Sequence, residues 1–190
     1  FNQRQQLLNQ AKEAYEFALQ ERTPVRGLTR WAGTISGLGN VFLALGFRTQ
    51  NAEHLLDAME AYERALDHLS CELQPWDWAL NKHNLGHALF GIADYEDGTE
   101  SLEAAVEACQ DALRVRTLDS GGSAWGKTKF LLGHTFLALG VRKTSIKDLE
   151  RAIQEYQGAL PKLSQQLRKI AERRIVFAQE IIERRGSQDA

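Results

Sequence analysis

Apolar residues recur three or four positions apart along almost the whole chain, the spacing that gathers them on one face of an α-helix. Residues 3–21 show it first, with Leu8, Ala11, Tyr15, Ala18 and Leu19 on one stripe between Gln, Glu and Lys. The stripe returns 47 residues later as Leu55, Ala58, Tyr62, Ala65 and Leu66. Trp31, Trp78 and Trp125 keep the same interval, as do Gly39, Gly86 and Gly133, then Leu55, Leu102 and Leu149, then Ala58, Ala105 and Ala152. A fixed period of this length marks stacked supersecondary units, because one such unit cannot bury its apolar face alone. The pattern therefore predicts an all-α chain of about eight helices without strands.

Each full repeat divides into two helices. The first, A, is predicted over about 29–45, 77–92 and 123–139, with Thr29, Asp77 and Ser123 as N-caps. Gly46 and Gly140 suit a left-handed turn just past its end. The second, B, is predicted over about 51–68, 97–115 and 144–160, and Asp97 with Glu100 and Ser145 with Asp148 have capping-box spacing. A connection of about four to six residues makes A and B an antiparallel hairpin. The expected organisation is one domain over 1–190: the second helix of a partial repeat (1–22), full repeats at 29–69, 76–116 and 123–160, and a C-terminal capping helix at 163–186. In that last helix Leu163, Leu167, Ile170, Phe177, Ala178, Ile181 and Ile182 form an apolar stripe, expected to cover helices A and B of the last repeat. Arg168, Lys169, Arg173, Arg174, Arg184 and Arg185 lie mostly off it, as a cap with one wet face requires. Residue 1 is Phe inside a helical pattern, and the expectation is a piece of a longer protein.

The repeat resembles the tetratricopeptide repeat family. Leu38-Gly39, Leu85-Gly86 and Leu132-Gly133 match the family's Leu-Gly pair in helix A. Helix B supplies Ala58-x3-Tyr62-x2-Ala65, Ala105-x3-Cys109-x2-Ala112 and Ala152-x3-Tyr156-x2-Ala159. The family's usual period is about 34 residues, whereas here it is 47. Roughly seven of the added residues fall between the glycine and the first alanine, close to two turns at about 3.6 residues per turn, so both helices can lengthen without rotating their apolar faces. The tryptophan expected four residues before the glycine is replaced by Ile35, Lys82 and Lys129, with Trp eight before instead, and the closing proline is absent. The pattern is similar to the long-helix variant in repeat arrays of large bacterial proteins. The resemblance implies a right-handed α-solenoid and a non-catalytic protein- or peptide-binding scaffold. It also implies an alternative, a regulatory or sensor segment of a multidomain enzyme carrying a caspase-like protease or a nucleotide-binding signalling domain.

Composition adds few constraints. A net charge of −2 gives no general attraction to nucleic acid or anionic lipid, and 25% charged with 43% hydrophobic residues is ordinary for a globular chain. The charge is uneven: Asp94, Glu96, Asp97, Glu100, Glu103, Glu107 and Asp111 form an acidic run, while residues 162–185 are rich in Lys and Arg. Both read first as solvated helix faces. No apolar run approaches the ~20 residues of a membrane helix and no signal peptide is visible, so the expected location is cytoplasmic. Cys71 and Cys109 are too few for a disulfide framework, and Cys109, standing where other repeats have Tyr62 and Tyr156, reads as a small core residue.

Candidate chemistry is sparse. His83 and His87 are four apart on one helix, with His134 one repeat further, a spacing two metal ligands can use. The glutamate of a His-Glu-x-x-His site is missing, and groove-lining histidines are the preferred reading. Gly121-Gly122-Ser123 before Lys127 lacks the spacing of a phosphate-binding loop. No catalytic residue, metal or cofactor is assigned. The periodic tryptophans read as a structural ladder; for Trp76, beside Pro75 and outside the period, a surface anchor is only the secondary reading. The resemblance implies that the inner faces of the A helices line a groove for a protein or peptide segment. Its positions would be Ser36, His83 and Phe130 before the Leu-Gly pair, Asn40, His87 and His134 after it, and Leu43, Phe90 and Leu137 as an apolar strip, with Asn84 and Lys127 alongside. Neither nucleic acid nor membrane is an expected partner, and self-association or packing against further N-terminal repeats is the other use of these faces.

Overall fold

A computed structural model describes residues 2–187. Among them the regular structure is entirely helical: α1 Asn2–Glu21, α2 Pro24–Thr49, α3 Ala52–Leu66, α4 Pro75–Ile92, α5 Glu100–Val115, α6 Leu118–Arg142, α7 Ile146–Ala159 and α8 Gln165–Gly186. Short 3-10 turns follow α4 at Ala93–Tyr95 and α7 at Leu160–Lys162. The chain forms two compact units, one through Asp97 with α1 to α4 and one from Gly98 with α5 to α8.

In the first unit α2 packs on α1 and α3, and α3 packs on α4. A Cβ at Gly39 would lie 2.8 Å from Tyr62 Cε1, and one at Gly46 would lie 2.5 Å from Leu55 Cδ2. Facing pairs that converge toward the turn define an antiparallel hairpin, and the missing side chains let α3 lie directly on α2. The second unit repeats the arrangement: Gly133 faces Tyr156 and Gly140 faces Leu149 at the same kind of approach. Here α6 packs on α5 and α7, and α8 packs on α7. The predicted B-helix stripes are the core. Leu55, Ala58, Tyr62 and Ala65, and likewise Leu149, Ala152, Tyr156 and Ala159, are at most 1% exposed. Fully burying a residue such as Leu149 contributes about 1.5–3 kcal/mol. On α1 the corresponding Leu8, Ala11, Tyr15 and Ala18 are only half-buried.

The helix boundaries depart from expectation at their ends. Thr29, Asp77 and Ser123 are not caps but lie inside helices. The caps are Thr23, whose side chain accepts from Arg26 N–H, and Thr117, which forms a reciprocal capping box with Ser120. Pro75 opens α4, and Gln74 before it makes no side-chain cap. The early start is possible because α2 and α6 are each interrupted by a non-helical residue, Gly27 and Gly122, after their first turn. Gly46 and Gly140 also lie inside their helices; the left-handed residues are Gln50 (φ 50°) and Thr144 (φ 55°). The glycines serve close approach rather than the turn. Asn51 and Ser145 cap α3 and α7 as the spacing suggests, Ser145 accepting from Asp148 N–H, whereas α5 begins after Thr99 rather than at Asp97. On α8, Leu163 just before it and Ala171 and Ala178 within it are buried, but Phe177, assigned to the covered stripe, is 45% exposed beside exposed Val176.

Candidate functional site

The first unit brings several of the groove positions together along a seam between α2 and α4. Ser36 Oγ lies 2.7 Å from Asn81 Oδ1, and Asn40 Oδ1 accepts from Asn84 Nδ2 at 2.9 Å. Contacts at a nearly constant separation in sequence show that α2 and α4 run parallel, as successive A helices of a repeat would. Further along the seam, the Phe47 and His87 rings stand 4.8 Å apart. Ser36 is buried, so it belongs to the seam rather than to an open surface. Asn40 is exposed, and its Oδ1 also accepts from the Tyr62 hydroxyl at 2.8 Å. His83, Asn84, His87 and Phe90 line one side of α4 and are all half-buried, as is Leu43 on α2.

The second unit gathers Phe130, His134 and Tyr156. His134 Nδ1 lies 3.1 Å from Phe130 O and 3.0 Å from the Tyr156 hydroxyl, with the Phe130 and His134 rings 4.4 Å apart. Asn40 and His134 occupy the same repeat position, and in both the buried tyrosine of helix B reaches it. Tyr62 donates to an amide oxygen. With Nδ1 protonated the ring donates to the Phe130 carbonyl, and with Nδ1 unprotonated it accepts from the Tyr156 hydroxyl, so the tautomer selects between the two bonds. Burial lowers the His134 pKa, the Phe130 carbonyl opposes this, and Arg174 lowers it further. Burial also raises the Tyr156 hydroxyl, so neither group is charged near neutrality. Lys127 is exposed, and Leu137 is buried in the core rather than standing on an open strip.

The tryptophans divide. Trp31 is 7% exposed and meets His68 edge-on at 4.9 Å. Trp78 and Trp125 are half-buried, and each carries a lysine one turn on, Lys82 Nζ at 5.4 Å and Lys129 Nζ at 5.8 Å from the ring centre. The lysines four residues after these two tryptophans thus form a repeated cation–π pair. Lys129 also bonds Glu155 Oε2 at 2.6 Å. Trp76 is 50% exposed. Cys109 is fully buried, and burial pushes its thiol up to about 12, which keeps it protonated and unreactive. Among the described residues no cluster of three or more His, Cys, Asp or Glu side chains is placed to hold a metal, and no helix is long and apolar enough to cross a membrane.

One feature of the seam escaped the pattern of apolar positions. Thr34, Asn81 and Thr128 are spaced by the 47-residue period, and each is buried. Each bonds the backbone carbonyl four residues earlier, at Arg30, Asp77 and Ala124. Arg22 and Arg116 donate to the two threonines, at 2.7 and 3.0 Å. The signal was visible as a polar residue recurring within an apolar helix face. Comparisons with protein-family models, with curated proteins and with solved structures find no match for this chain.

Proposed function

We propose that the chain is a non-catalytic binding module. In this reading its repeats stack as a tetratricopeptide-like, right-handed α-solenoid, and the A-helix faces hold a protein or peptide segment. The observation that carries it is the row His83, Asn84, His87 and Phe90 on α4, half-buried and mixing ring surface with polar groups. Such a row suits an extended or helical peptide with one apolar side, its polar groups meeting the imidazoles and amide. Support for the stacking comes from the uninterrupted 47-residue period and from the same hairpin geometry in both units. Ser36 and Leu137 drop out of the proposed surface because they are buried.

The test is selection of peptides from a displayed library on the folded chain, followed by affinity measurement on a His87→Ala/Phe90→Ala double variant. Binding should weaken at least about tenfold, as central contacts do, with the circular-dichroism melting curve still cooperative. Undiminished binding by a folded double variant would place the surface elsewhere.

A further inference from the structure

A cavity of about 410 Å³ opens at the C-terminal ends of α2 and α4 in the first unit, lined by Gly46, Phe47, Gln50, Leu55, Gly91, Asp94 and Tyr95. None of the groove row on α4 lines it. Phe47 forms one wall and is held in place: a Cβ at Gly91 would lie 2.8 Å from its Cζ, so the ring rests on bare backbone. Tyr95, in the 3-10 turn after α4, supplies a second aromatic ring, 49% exposed, with the Asp94 carboxylate beside it. The Gly46 carbonyl, in the last turn of α2, accepts from the Gln50 N–H and from the Asn51 N–H, the latter at 3.1 Å. Two rings, a carboxylate and the negative end of a helix all favour a cation.

The second unit shows what this position accepts. Gly140, Thr144, Leu149 and Ser145 stand two periods after Gly46, Gln50, Leu55 and Asn51. There the Gly140 carbonyl accepts from Ser145 N–H at 3.0 Å and, with its remaining capacity, from the guanidinium of Arg185 on α8 at 3.1 Å. The chain itself therefore places an arginine against this helix end in its last hairpin. We infer that the cavity between α2 and α4 binds an arginine side chain of a basic peptide segment. The guanidinium would lie against Phe47 and Tyr95 and face Asp94 at the C-terminal end of α2. Arginine fits better than lysine because its flat cation can stack on a ring while its N–H groups still reach the carboxylate.

The experiment is titration of the full chain, labelled with nitrogen-15, with N-acetyl-arginine amide, its neutral analogue N-acetyl-citrulline amide, and N-acetyl-lysine amide. Saturable shifts of the Gly46 and Gly91 amides with the arginine compound alone are expected. Asp94→Asn should weaken them about tenfold and Tyr95→Ala about three- to tenfold. Both residues are exposed, so the variants should keep the wild-type melting curve. Equal binding of the citrulline compound, equal binding of the lysine compound, or shifts that do not saturate would each overturn the assignment. Shifts that grow with protein concentration alone would give the cavity to a second copy of the chain and overturn the peptide reading. The titration is read at Gly46 and Gly91 of the wild-type chain and needs no groove variant, so its failure and the failure of the groove reading are separable.

Discussion

Substituting alanine at two helix-interior glycines should change stability in opposite directions. Gly33 lies within α2, and a Cβ built there meets nothing within 4 Å. Gly33→Ala should therefore stabilise by about 0.5–1 kcal/mol, the ordinary helix-interior gain. Gly140 lies within α6, and a Cβ there would stand 2.7 Å from Leu149 Cγ, 2.8 Å from its Cδ2 and 2.9 Å from its backbone nitrogen. Leu149 is fully buried, so its side chain has nowhere to turn, and the backbone contact can be relieved only by moving the start of α7. Overpacking of this kind costs typically ~1–3 kcal/mol. The backbone clash places this site toward the upper part of that range, and the propensity gain offsets up to about 1 kcal/mol. The expected net loss is about 1–2 kcal/mol, so the two variants should differ by about 1.5–3 kcal/mol. Urea unfolding followed by helical circular dichroism measures this as opposite shifts in midpoint at similar slope. Equal stabilisation by both substitutions would show that α7 does not lie against Gly140 as described.

Four further outcomes are expected. His134, its pKa lowered by burial, stays neutral in the folded state while the unfolded chain takes up a proton below about pH 6.5. Stability should therefore fall as pH drops through that value toward the folded pKa, and His134→Asn, which copies Asn40, should flatten this part of the profile in urea melts. Lys129→Ala should cost about 1–2 kcal/mol, because its bond to Glu155 is largely shielded and its ammonium also sits over Trp125. Arg64→Ala, removing an exposed pair with Glu60, should cost less than about 0.5 kcal/mol in the same assay. Truncation after Leu163 removes α8 from α7 and should lower the melting temperature and promote self-association in light scattering; a monomeric, equally stable truncation would refute a capping role.

The helices were legible because the 47-residue period carries each apolar stripe with it, so three copies average out local ambiguity. Helix ends were less legible, since Thr23 and Thr117 cap turns that precede a glycine, and a glycine inside a helical pattern reads as a boundary. The error at Gly46 and Gly140 has the same root. A glycine can supply a left-handed turn or a close contact, and only the position of Leu55 and Leu149 decides between them. Phe177 shows the limit of stripe counting: periodicity puts it on the face of Ala178, but the approach of α7 buries only the small residues of α8.

The surroundings of the proposed groove positions were the least legible, because a repeat fixes which residues are equivalent but not what each copy touches. Thr34, Asn81 and Thr128 illustrate this. The two threonines receive Arg22 and Arg116, which are themselves equivalent, whereas the intervening position is Leu69, buried and without a donor. A buried polar group without a partner costs about 1–3 kcal/mol. The middle copy meets that demand differently, with an asparagine whose amide donates to Asp77 O while its oxygen pairs with Ser36. Ser36 is thereby drawn into the α2–α4 seam and lost to any ligand. The tyrosine position changes in the same copy: Cys109 replaces it, and the imidazole of His87, in the place of Asn40 and His134, stands beside Phe47 instead. The middle copy's helix A therefore spends its side chains differently from the outer copies, Asn84 on Asn40 and His87 on Phe47, and the proposed binding row runs along that same side of α4.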